Sequence, residues 1–186
     1  MKRREFLLSC IPLMVLSAIS EPAFADLYDD YINSVSKRPF VSFLARESPG
    51  SIDKPGHAYI GVGVELDNGL LVYEKLLGYY PVDESTWGEI KASFSTASGE
   101  LKSKIDDVAW DVEFRVNTDD TGHSNALDVA DRWMASDPKY NLFANSGKNC
   151  SSFVSEIATA LGLKLPNDDP GATWPVNYIK KLKAVN

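Results

Sequence analysis

From Phe40 onward the apolar residues fall in short runs with two different periods. Phe40-Val41-Ser42-Phe43-Leu44-Ala45-Arg46 reads as a strand. His57–Leu66 and residues 70–77 are β-branched runs separated by Asp67-Asn68-Gly69, the strongest short-range hairpin signal. Residues 108–116 alternate apolar and polar and predict a half-buried strand. The longer period appears at Cys150, Phe153, Val154, Ile157, Ala158 and Leu161, one face of a helix that starts at Cys150 and that Gly162 closes ahead of Pro166. A second helix is expected from a Ser124 cap to Ala135, with Leu127, Ala130, Trp133 and Met134 inward. Residues 117–122 read as a polar loop, 86–104 carry a loose helical pattern, and short helices are expected over 27–36 and after Pro175. This order predicts one α+β domain, an antiparallel sheet packed against helices.

The chain opens with Met1-Lys2-Arg3-Arg4-Glu5-Phe6-Leu7-Leu8, an apolar stretch to Ile19, and Ala23-Phe24-Ala25 before Asp26. A basic start, an apolar run too short to span a bilayer and small residues before the cut predict a cleaved signal peptide over 1–25. Arg3-Arg4 with Phe6-Leu7 resembles the twin-arginine export signal, so a periplasmic or secreted protein is expected. Cleavage leaves 186 − 25 = 161 residues, a single domain over 26–186, with a balance of 16 − 24 = −8. An acidic chain without a basic cluster argues against nucleic-acid partners, and no second apolar run predicts membrane insertion after cleavage. No nucleotide loop, serine elbow or zinc spacing occurs, and no cofactor or metal is expected.

Cys150 is then the only cysteine left, so it cannot belong to an internal disulfide. At a helix N-terminus the free N–H groups and the macrodipole favour a thiolate, the form that acts as nucleophile. A thiol nucleophile needs a base, and the chain has two histidines. His57 opens the first hairpin strand and by alternation shares a face with Tyr59, Gly61 and Gly63, where glycines leave space. His123 reads as a solvated loop residue. For the group that orients the imidazole, Glu74 on the returning strand is chosen, with Asn68 and Glu65 as alternatives if a bulge shifts register.

Gly56-His57-Ala58-Tyr59-Ile60-Gly61-Val62-Gly63, then Tyr140-Asn141-Leu142-Phe143, Asn149-Cys150-Ser151-Ser152-Phe153-Val154 and Leu161-Gly162-Leu163 with Pro166, resemble the circularly permuted papain-like superfamily. That group includes NlpC-type cell-wall peptidases and lecithin retinol acyltransferase-like enzymes. The resemblance implies a papain-like fold in permuted order, His57 before Cys150, with Cys150 as nucleophile and His57 as base. A third polar group on the following strand would fall near Glu74, where no His, Asn or Gln stands at the usual place. The implied function is an exported cysteine amidase or peptidase acting on peptidoglycan stem peptides. A thiol acyltransferase or thioesterase on lipid-like esters and a non-catalytic envelope-binding module are the alternatives.

Overall fold

Alternation along the chain builds β1 Lys37–Arg46, β2 His57–Leu66, β3 Leu71–Pro81, β4 Ala97–Ser103, β5 Val112–Asn117 and the two-residue β6 Lys139–Tyr140. They pair antiparallel in the order β5-β1-β2-β3-β4-β6. The 3.6-residue pattern builds α1 Asp120–Ser136, α2 Cys150–Ala160 and α3 Pro175–Val185. This computed structural model describes residues 37–47, 56–83, 96–103, 109–143 and 148–186. The expected signal peptide, the helix over 27–36 and the 86–95 part of the helical pattern lie outside the described residues. Among the described residues the protein is α+β, as the pattern predicts.

The helices lie on one face of the sheet. Their apolar stripes, carried by Val129 and Trp133 of α1, Phe153, Val154 and Ile157 of α2, and Tyr178, Ile179 and Leu182 of α3, join Val41, Phe43, Ile60 and Val62 in one buried cluster. The opposite face carries a second, smaller cluster of Leu44, Tyr59 and Leu76, flanked by Tyr73. The Asp67-Asn68-Gly69 turn joins β2 to β3 as expected, with Gly69 at φ 79°. Gly162, at φ 70°, follows the end of α2 as the helix-stop signal predicts.

Several elements depart from the pattern. β3 continues past Leu77 to Pro81, and its extension pairs with β4 in the segment where a helix is expected. The reason is the alternation of Ala97, Gly99 and Leu101, which puts Ala97 and Leu101 against the core; the Tyr79 ring occupies the space a Gly99 side chain would need. α1 begins four residues ahead of Ser124, because the Asp119 carboxylate accepts the Gly122 N–H at 2.7 Å and caps the helix. Met134 is 57% exposed rather than inward, since Ala126, Val129, Ala130 and Trp133 define the buried stripe. β5 starts at Val112.

The space beside Gly61 and Gly63 is filled rather than open. A Cβ on Gly61 would meet the Tyr73 ring at 2.4 Å, and one on Gly63 would meet the Val72 carbonyl oxygen at 2.1 Å and Phe40 at 3.0 Å. Gly63→Ala is therefore expected to destabilise the fold by about 1–3 kcal/mol, as overpacking against fixed backbone does; a urea melt of the variant checks this.

Candidate active site

The Asn149 cap fixes where α2 begins. With Asn149 in extended conformation, its Oδ1 accepts the Ser152 N–H at 2.9 Å and the Asn149 N–H donates to Ser152 Oγ at 3.4 Å, a reciprocal capping box. Asn149 Nδ2 also donates to the Leu142 carbonyl at 2.8 Å, which ties the preceding loop to the helix start. Cys150 is thereby held in the first turn, facing the sheet and only 4% exposed. It forms part of the wall of a small open cleft that Gly56, Leu142, Phe143 and the Gly171–Pro175 segment also line.

Burial pushes the Cys150 thiol above its ordinary pKa, and hydrogen bonds from the Ala58 backbone, the Ser151 side chain and the Ser151 backbone pull the other way. The helix N-terminus leads one to expect a lowered thiol. Desolvation wins because the thiol is buried, whereas the helix terminus supplies only a partial charge.

The two motifs singled out in the sequence meet in space. Gly56 shares the cleft with Cys150, and Ala58, the residue after His57, hydrogen-bonds to the thiol. The His57 ring, however, points the other way. Ala58 and Ile60 belong to the cluster under the helices with Cys150, while Tyr59 belongs to the opposite cluster, and alternation puts His57 with Tyr59. The ring lies flat on Tyr80 at 4.0 Å between centroids and parallel to Tyr59 at 6.1 Å. Its Nε2 would lie 2.7 Å from a side chain on Gly78, so that glycine makes room for the imidazole. The expected thiol–imidazole pair is thus split between the two faces of the sheet.

Glu74 does not orient His57. Val62 pairs with Lys75 and Gly63 with Tyr73, which leaves Glu74 as the extra residue of a β-bulge. That position lies five to six residues along the strands from His57, roughly 15–20 Å at the rise of a strand. Its carboxylate instead approaches His123 Nε2 at 3.5 Å, an ion pair when that imidazole is protonated. His123 is a half-buried residue of α1 rather than a loop residue. Glu65 pairs with Arg38 at 3.0 Å and Asn68 accepts the Leu70 N–H within the turn, so both alternatives also sit at the far end of the hairpin.

The ring stacked on His57 is that of Tyr80, which lies beyond the run of residues 70–77 that the sequence pattern marks as a strand. Phe143 and Trp174, 46% and 50% exposed at the cleft, carry no period that marks them as cleft walls. Among the described residues no three His, Cys, Asp or Glu side chains converge to hold a metal ion, and no helix is long and apolar enough to cross a membrane. No protein-family model, curated protein or solved structure matches the chain.

Two outcomes follow from this geometry. Asn149→Ala removes the helix cap and the tie to Leu142 and is expected to cost about 1–2 kcal/mol of stability, measured by chemical denaturation. The raised thiol makes a pH prediction. A folded-state pKa above the unfolded one stabilises the fold below the unfolded thiol range, near pH 8.5, and that contribution is lost as pH rises through the folded value. Stability should therefore fall as pH rises above about 8.5, and Cys150→Ala should flatten that fall relative to wild type.

Proposed function

We propose that this chain is an exported cysteine amidase or peptidase on a permuted papain-like frame, with peptidoglycan stem peptides as its substrates. The observation that supports it most is that Gly56 lines the same cleft as Asn149, Cys150 and Ser151 and that the Ala58 backbone hydrogen-bonds to the thiol, although the two segments lie far apart in the chain. In this reading the His57 imidazole, once on the Cys150 side, takes the thiol proton, and the resulting thiolate attacks the amide carbonyl. The tetrahedral oxyanion takes a hydrogen bond from the Cys150 N–H at the start of α2, and the amine leaves with a proton from His57. Water then hydrolyses the thioester and restores the thiol.

The reading imposes a condition on the strand end. His57 is the first residue of β2 and pairs with Arg46, the last of β1. For its imidazole to reach Cys150 that terminal pair has to part and the ring has to swing past Gly56, which at φ 75° packs against the Arg46 carbonyl. Fraying one terminal pair is among the least costly openings a sheet offers.

A second reading, a non-catalytic envelope-binding module on the same frame, is favoured by the far-face position of the His57 ring and by the burial of the thiol. Mass-spectrometric analysis of muropeptide digests separates the two. Under the hydrolase reading the wild type cleaves an amide, Cys150→Ala abolishes cleavage, and His57→Ala lowers kcat by about 10²–10⁴-fold. Cleavage that survives Cys150→Ala removes the thiol from the reaction, and muropeptide binding without turnover by the wild type selects the binding module.

A further inference from the structure

We propose that the cleft beside Cys150 selects a neutral, apolar side chain next to the scissile carbonyl, held between Phe143 and Trp174; this rests on the hydrolase reading. None of the described residues lining the cleft carries a charge. The polar side chains there are largely committed: Asn149 to the helix cap and the Leu142 carbonyl, and Ser151 to the thiol. A carboxylate or ammonium entering this space would shed its hydration and meet no counter-charge among the described lining residues.

The aromatic walls supply the positive part of the selection. Phe143 follows β6, and Trp174 stands at the N-cap of α3, so two separate segments each present a large half-exposed ring to one opening. Such rings lose little conformational entropy when they cover an apolar group. The Trp174 wall is also set in advance. The Asp169 carboxylate accepts the Gly171 N–H at 2.8 Å and the Asp169 carbonyl accepts the Ala172 N–H at 3.1 Å, which fixes the turn leading into Thr173 and Trp174.

The test uses the full mature chain and separates binding from turnover. N-acetyl tripeptide amides Ala-X-Ala, with X as Leu, Ala, Glu or Lys, are titrated calorimetrically into the Cys150→Ala protein, and the same series is offered to wild type with hydrolysis followed by mass spectrometry. The Leu peptide is expected to bind at least tenfold tighter than the Glu and Lys peptides. Trp174→Ala and Phe143→Ala should each remove most of that preference, with unchanged far-ultraviolet circular dichroism. Thr173→Lys, which adds a cation to the wall, should raise affinity for the Glu peptide. Equal affinities, a preference for Glu or Lys, no binding of the Leu peptide at millimolar concentration, or indifference to both aromatic variants overturns the proposal. Selective binding by a wild type that leaves both these peptides and muropeptides intact would refute the hydrolase reading while supporting the selectivity of the cleft, and hydrolysis with a charged preference would do the reverse.

Discussion

Strand β2 is buried on both faces, and its pleat allows each side chain only one of them. Ala58, Ile60 and Val62 are committed to the helices, because α2 lays its apolar stripe across them. His57, Tyr59, Gly61 and Gly63 then have no choice but the opposite face. The neighbouring strand has to match this assignment, and uninterrupted pairing would fail to do so. Continued from Val62–Lys75, the register would set Glu74 against Gly63 and Tyr73 against Val64, sending the tyrosine ring to the helical side. The bulge at Glu74 shifts the phase by one residue, so that Tyr73 pairs with Gly63 and Val72 with Val64. Tyr73 then lies over Gly61, and its hydroxyl donates to Glu113 at 2.8 Å, while Ser42 donates to the same carboxylate at 2.7 Å. Burial of this face lifts the Tyr73 hydroxyl to a pKa of about 12.

The same parity explains which parts of the structure were legible in the sequence. Alternation and the Asx-Gly turn mark β1, β2, the hairpin and most of β5, and the spacing from Cys150 to Leu161 marks α2 and its stop at Gly162. Alternation also assigns His57 to the face of Tyr59. What a single strand's pattern does not contain is which of its two faces the helices will cover, since both faces of β2 are apolar or small. The bulge was equally hidden, because nothing in Tyr73-Glu74-Lys75 announces an extra residue except the misfit it corrects. Without the register, Glu74 reads as a neighbour of His57; with it, Glu74 belongs near His123 and Tyr80 is the neighbour. β4 went unrecognised because Gly99 interrupts an otherwise weak alternation, although that glycine is what lets Tyr79 pack inward.

The Cys150 thiol is where two local rules compete. A helix N-terminus contributes typically 0.3–1 kcal/mol toward an anion, less than about one pKa unit, whereas full desolvation can move a group by roughly 3–5 units in the opposite sense. Hydrogen bonds from Ala58 and Ser151 narrow the gap without closing it, because the thiol remains displaced upward. Any activation of this thiol would therefore have to come from something that changes the surroundings of the sulfur rather than from the helix start alone. An imidazolium brought from the far face would supply a full charge in a poorly hydrated cleft, where an ion pair is stronger than in water. A bound neutral group would exclude water from Cys150 and strengthen that pairing once made, but by itself would hold the thiol protonated. The residue pair that meets at the strand end, Arg46 with His57, thus holds the imidazole on the far face and keeps its charge away from the buried thiol.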